Sequence, residues 1–143
     1  MIVPDANLLI YAYDTTCPHH AKARTWWEGA LSGSEPVGIP WVVVLAFTRL
    51  TTHPTVSDNP MTVAQARAAV EAWLTCEHVR MLAVEPDTIS TFFTLLDEAG
   101  TGGNLSTDAL IAATASEHGG CVYSNDRDFG RFDGLVWRNP LQQ

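Results

Sequence analysis

Apolar positions fall into short blocks separated by polar or glycine- and proline-rich turns, and the blocks alternate in kind. Ile2-Val3-Pro4 is a brief apolar run that stops at Asp5, and Ala6–Tyr13 then reads as one or two helical turns, so a strand leads directly into a helix. After Pro18, the segment His19–Leu31 places Ala23, Trp26, Trp27, Ala30 and Leu31 at helical spacing, and Gly33 marks its end. Val37–Leu50 is apolar beside Pro36 and Pro40 and reads as a strand entering a buried helix from about Trp41.

The stretch His53–Pro60 is turn chemistry, and Thr62 with Gln65 three positions on forms a capping box before the stripe Val63, Ala66, Val70, Trp73 and Leu74. Met81–Val84 predicts a buried strand. Asp87 is then expected to cap a helix that carries Ile89, Phe92, Phe93, Leu96 and Ala99 on one side and ends at Gly100. After the turn Gly102-Gly103-Asn104, Thr107-Asp108 opens a helix of small residues, Ala109–His118, closed by Gly119-Gly120. Cys121–Ser124 and Leu135–Trp137 read as the last two strands. Strands alternating with helices imply a mostly parallel sheet covered on both faces, the α/β class.

With 143 residues and no internal linker or repeat, one domain spanning 1–143 is expected. At 46% hydrophobic and 17% charged residues the chain lies outside the disordered regime. Its longest apolar run, Ile39–Phe47, is too short to cross a bilayer, so no membrane association is expected. The first residues lack the basic-then-apolar pattern of a secretory signal, so a cytoplasmic protein is expected. Cys17, Cys76 and Cys121 show no disulfide or zinc spacing and are expected to be reduced and mostly buried. Core packing is expected of Trp26, Trp27, Trp41, Trp73 and Trp137, and surface or capping roles of the five histidines.

A net charge of −8 argues against a broad basic face for nucleic acid, so any attraction to phosphate must come from elsewhere, and bound divalent cations can supply it. Ligands of open α/β sheets bind beyond the carboxyl ends of the strands, and aspartates fall there. Asp5 follows the first strand, Asp126 and Asp128 follow the strand ending at Ser124, and Asp108 opens a helix whose dipole favours an ionised carboxylate. Taken singly, each has a plain alternative as an N-cap or turn former. Taken together, they would repel one another unless a cation offset them, and short all-oxygen side chains suit hard Mg²⁺ or Mn²⁺ over zinc. Such a site suits hydrolysis of a phosphodiester. Ser124 is a candidate for touching a metal-bound water or phosphate, with backbone capping as its alternative. Arg49, Arg127 and Arg131 are candidates for phosphate contact, with ordinary surface pairing as theirs.

Four segments in order, Ile-Val-Pro-Asp5-Ala-Asn7-Leu-Leu-Ile-Tyr, Pro-Trp-Val-Val-Val-Leu-Ala46-Phe-Thr-Arg49-Leu, Asn104-Leu-Ser-Thr-Asp108-Ala-Leu-Ile-Ala-Ala and Ser124-Asn-Asp126-Arg127-Asp128-Phe, resemble the PIN-domain ribonucleases, specifically the VapC-type toxins of toxin–antitoxin modules. The resemblance runs nearly end to end. It implies a three-layer α/β/α fold with about five strands, a Mg²⁺-dependent endoribonuclease for which Mn²⁺ can substitute, and a homodimer neutralised by a cognate VapB-type antitoxin. It also implies Asp5, Asp108 and Asp126 as metal ligands, with Asp128 accessory to catalysis; Asn7 joins Arg49, Ser124 and Arg127 as a candidate substrate contact. One position departs from the pattern: Ala46 stands where many members carry Glu, and no acid occurs between Val37 and Ser57. One well-held ion at Asp5 and Asp108 is therefore expected, with Asp126 or Asp128 reached through water. A binding module without cleavage stays open as an alternative. An aspartate-nucleophile phosphatase and a receiver-like phosphoacceptor rank below it, since position 7 is Asn and the sole lysine is Lys22.

Overall fold

The structure, a computed structural model, describes residues 1–142; Gln143, the last residue of the expected domain, lies outside the described residues. Strand β1 (Ile2–Pro4) is followed by helices α1 (Ala6–Tyr13) and α2 (His20–Ser32), then β2 (Val37–Pro40), α3 (Trp41–Thr51) and α4 (Val63–Leu74). The chain continues through β3 (Val79–Leu82), α5 (Pro86–Ala99), α6 (Leu105–Glu117), β4 (Cys121–Tyr123) and β5 (Trp137–Arg138). The five strands form one sheet in the order β3-β2-β1-β4-β5, every pairing parallel.

Two crossovers step outward from β1 to β3, and the next returns across the sheet to β4. With right-handed connections, α1 to α4 cover one face and α5 and α6 the other, which gives the three-layer α/β/α arrangement. The strand order reverses between β1 and β4, and a ligand crevice opens at such a point, beyond the carboxyl ends of those two strands.

The core follows from the short strands, buried on both faces. Val3, Val37, Ile39 and Val122 are fully buried in the sheet, and Leu8, Leu9, Val43 and Phe47 seal one side of it. Trp73 of α4 locks the helices of that layer together: its ring lies 4.9 Å from Phe47 and 5.5 Å from Trp27, and its indole N–H donates to the Tyr13 hydroxyl at 2.8 Å. The sheet tolerates no side chain just before β4. A Cβ on Gly120 would stand 2.6 Å from Val3 Cγ2, so this glycine is set by close approach.

Several boundaries and faces differ from the sequence expectation. The third strand lies at Val79–Leu82, not Met81–Val84. It is an edge strand with Arg80 exposed, so its apolar signal is broken. The cap of α5 is Glu85, whose backbone N–H donates to Thr88 Oγ1 at 3.2 Å, with Pro86 in the first turn; Asp87 sits inside the helix. Ile89 and Phe93 of that helix are exposed, while Thr88 and Leu95 face inward. Helix α6 begins at Leu105, four residues before the expected Ala109, and the last strand is Trp137–Arg138 instead of Leu135–Trp137. Trp41 is 63% exposed, against the expectation of core packing for all five tryptophans. The three cysteines are free and half-buried: Cys17 and Cys76 lie in the loops after α1 and after α4, and Cys121 opens β4. The capping box at Thr62 and Gln65 forms as expected, with Gln65 N–H donating to Thr62 Oγ1 at 3.1 Å and Thr62 N–H to Gln65 Oε1 at 2.9 Å.

Candidate metal centre

The first acid of the crevice is set by how β1 ends. Asp5 N–H still donates to the Tyr123 carbonyl at 2.9 Å, so Asp5 is held in strand register against β4. Its side chain turns to cap α1, Oδ1 accepting from Ala6 N–H at 2.7 Å. The other oxygen, Oδ2, accepts the hydroxyl proton of Ser124 at 2.7 Å. Asp5 is buried, and burial pushes its carboxyl above the ordinary value; the two hydrogen bonds work against that rise and the nearby Asp126 charge adds to it.

The loop after β4 supplies the next two. Asp126 N–H donates to Ser124 Oγ at 2.9 Å, and Asp126 Oδ1 accepts from Asp128 N–H at 2.9 Å, capping the 3-10 turn Arg127–Arg131. Asp108 arrives from the first turn of α6. Oxygens of Asp108, Asp126 and Asp128 all lie within 4.8 Å of one another. The Asp108 carboxyl is pushed up to about 7, first by burial and then by the charges of Asp5, Asp126 and Asp128.

Thus four acids from three separate places in the chain share one electrostatic neighbourhood. Among the described residues, Asp108, Asp126 and Asp128 form the group of acidic, histidine or cysteine side chains close enough to share an ion. Two observations fit a hard divalent cation: the donors are carboxylate oxygens with no sulfur or imidazole among them, and the buried Asn7 Oδ1 has no hydrogen-bond partner among the described residues. Asn7 Nδ2 donates to Ser124 Oγ at 3.3 Å, which ties that side chain to the acids.

The remaining predicted contacts divide. Ser124 is fully buried, with its hydroxyl engaged by Asp5, Asn7 and Asp126. Arg127 is exposed between Asp126 and Asp128. Arg49 is exposed in the last turn of α3, and no hydrogen bond or ion pair among the described residues joins it to the acids. Arg131 donates to the Ala99 carbonyl at 3.3 Å. Ala46 is half-buried on α3, a helix without an acid. His20, His78 and His118 pair with the backbone carbonyls of Tyr11, Ala30 and Ala83, away from the acids. What sequence reasoning missed is the internal bonding at Ser124, which depends on β1 and β4 being neighbours and leaves no local signal.

Comparison with known proteins gives one family. A model of the PIN domain matches residues 2–135. The chain is similar to a Mycobacterium tuberculosis protein named ribonuclease VapC33, 36% identical over 143 residues and covering 100% of both chains. It is also similar to ribonuclease VapC37 of that organism, 39% identical over 140 residues, covering 98% of this chain and 97% of the relative. Among solved structures, it resembles Mycobacterium tuberculosis VapC20, described as a Sarcin-Ricin loop cleaving toxin, with a TM-score of 0.71 at 20% identity over 95% of this chain and 97% of the other. It also resembles a chain of VapBC2 from Rickettsia felis bound to a DNA fragment from their promoter, with a TM-score of 0.68 at 19% identity over 97% of this chain and 98% of the other.

Proposed function

Because the chain belongs to the PIN-domain family, with relatives named VapC ribonucleases, we propose that it is a divalent-metal-dependent endoribonuclease, the toxin half of a VapBC-type pair. In this reading residues 1–143 act as one domain, in the cytoplasm where RNA is available. The observation that carries it is the approach of the Asp108, Asp126 and Asp128 carboxylates to within 4.8 Å, beside buried Asp5.

Asp5, Asp108 and Asp126 are proposed to hold Mg²⁺, or Mn²⁺ in its place, with Asp128 completing the acidic set; Asp5 stands outside the 4.8 Å group, its two oxygens accepting from Ala6 N–H and the Ser124 hydroxyl. When bound, the ion supplies an activated water and offsets the charge that grows on the leaving oxygen of the phosphodiester. The chain's own residues orient and balance. Asp5 anchors the set through its cap on α1, Asp108 brings its charge from α6, and exposed Arg127 is positioned in sequence to meet a phosphate beside the acids. Arg49 is assigned a phosphate contact farther along the RNA.

A VapB-type antitoxin is the proposed partner, since an arginine or lysine inserted among these acids satisfies them as a cation does. A homodimer is proposed as well, supported by exposed apolar pairs one helical turn apart, Trp41 with Leu45 on α3 and Ile89 with Phe93 on α5. One observation favours a second reading: α3 carries no acid, with Ala46 in the family's Glu position, so a module that binds RNA or antitoxin without cutting is the alternative.

Incubating the purified chain with a mixed cellular RNA pool and mapping the cut ends tests the proposal. Discrete cuts that need Mg²⁺ or Mn²⁺ and vanish with chelator and in Asp5→Asn are expected. RNA bound but uncut under both metals would transfer the reading to the binding module, with Ala46→Glu as the next variant. Expression of the chain alone is expected to slow growth, and co-expression of its antitoxin to restore it.

A further inference from the structure

We propose that Ser124 is a positioning residue and not an RNA contact: its hydroxyl is the junction that holds Asp5 and the Asp126 loop in the placement where the acids share a cation. Asn7 is the second arm of that junction. The inference rests on the metal-dependent reading above and says which residues outside the ligand set make it work.

Hydrogen-bond capacity decides the point. A serine hydroxyl has one proton to donate and two lone pairs to accept with. Ser124 donates to Asp5 Oδ2 at 2.7 Å, accepts from Asp126 N–H at 2.9 Å and accepts from Asn7 Nδ2 at 3.3 Å. All three capacities are used inside the protein, and the side chain is fully buried. It has neither surface nor a free donor for a phosphate or a base.

The three partners come from the end of β1, from α1 and from the loop after β4. Ala6 N–H fixes only one oxygen of Asp5, so the orientation of the other depends on Ser124. The linkage continues from Asp126, whose Oδ1 accepts from Asp128 N–H. Asp5, Asp126 and Asp128 thus form one hydrogen-bonded chain beyond the paired ends of β1 and β4, while Asp108 meets them from α6 without a side-chain hydrogen bond among the described residues. Alanine at position 124 removes the junction without adding bulk, leaving Asp126 N–H and Asn7 Nδ2 without their acceptor.

The test is calorimetric titration of Mn²⁺ and Mg²⁺ into the intact wild-type chain, Ser124→Ala, Ser124→Thr, Asn7→Ala and the double alanine variant, beside thermal unfolding in chelator. Groups that orient metal ligands typically cost about 10- to 100-fold in metal affinity when removed. Ser124→Ala is expected to lose affinity in that range while still folded, and Ser124→Thr, which keeps the hydroxyl, to recover most of it. Asn7→Ala is expected to lose less, and the double variant to fall short of the summed losses because both act through one oxygen. RNA cleavage by Ser124→Ala should return at raised Mn²⁺ with KM for RNA unchanged.

Ser124→Ala binding metal within twofold of wild type would overturn the proposal. A rise in KM with metal affinity intact would restore Ser124 as a substrate contact. A lowered unfolding temperature with metal affinity intact would leave it merely structural. Absence of any saturable metal binding by wild type that Asp108→Asn diminishes would instead overturn the metal reading itself, and this inference with it.

Discussion

Asp108 sits in the first turn of α6, where the helix dipole favours a carboxylate, yet its carboxyl is pushed up to about 7 because burial and three neighbouring acids outweigh the dipole. In the unfolded chain the same group titrates near 3.8. The native state therefore keeps this proton over a pH range in which the unfolded chain has released it, and native stability falls as pH climbs from about 4 to about 7. Asp5, also raised by burial, adds a loss of the same sign. In chelator, the melting temperature is expected to drop across that interval and to stay low above it. Asp108→Asn should drop less and be the more stable protein at pH 8, and Mg²⁺ should raise the wild type there while leaving Asp108→Asn nearly unmoved. Calorimetry at pH 5 and pH 8, with and without Mg²⁺, checks this; an Asp108→Asn protein no more stable than wild type at pH 8 in chelator contradicts it. The acids themselves were legible from sequence because each punctuates an element: Asp5 ends an apolar run, Asp126 follows another, and Asp108 precedes a run of small residues. The links among them were not, because the Ser124 to Asp5 bond spans 119 positions and exists only through the pairing of β1 with β4.

At the scale of elements, legibility followed how one-sided the burial is. Helix α4 buries Ala66, Ala69 and Trp73; its capping box and the Ala66 and Trp73 positions could be read from sequence, whereas Val63 and Leu74 of the expected stripe are exposed at the two ends of the helix and Ala69 is buried instead. Helix α6 is buried at every position from Ile111 to Ala115, so no periodicity marked its beginning and the Thr107-Asp108 pair imitated a cap. Helix α5 carries one wide apolar stripe and only part of it is covered: Leu95 is buried, whereas Ile89 and Phe93, expected on the same side as Phe92, Leu96 and Ala99, lie at its exposed edge. Packing between elements makes its own prediction at Gly120, which lies against the β-branched and fully buried Val3. A valine has little rotameric freedom to withdraw, so Gly120→Ala is expected to cost about 1–3 kcal/mol as overpacking. Combining it with Val3→Ala should destabilise by less than the sum of the single changes, since the second removes the methyl that the first strikes. Urea unfolding of the four proteins measures this, and strict additivity would mean that the two positions do not meet.

Charge belongs to the whole molecule, and there the numbers constrain how RNA can be held. Eight Lys and Arg face sixteen Asp and Glu. Arg24 and Arg67 pair with Glu28 and Glu71 on their own helices, while Lys22 and Arg131 donate to the backbone carbonyls of Leu141 and Ala99. Arg49, Arg80, Arg127 and Arg138 are exposed and in no ion pair among the described residues, but each lies on a different element (α3, β3, the loop after β4 and β5), so no one element carries a basic stripe. A single-stranded RNA contacted by at most four such side chains releases few counterions, and at roughly −0.7 per phosphate contact the slope of log affinity against log salt should be no steeper than about −3. Affinity should depend far more on the divalent ion than on NaCl, because the acids at the crevice repel phosphate until a cation is held there. Filter binding of RNA to Asp128→Asn, chosen to slow cleavage, across NaCl at fixed Mn²⁺ and again in chelator, measures both dependences. A slope near −4 or steeper, or binding undiminished by chelator, would mean that the RNA rests on a basic surface that one copy of this chain does not present, and that a second copy contributes to the track.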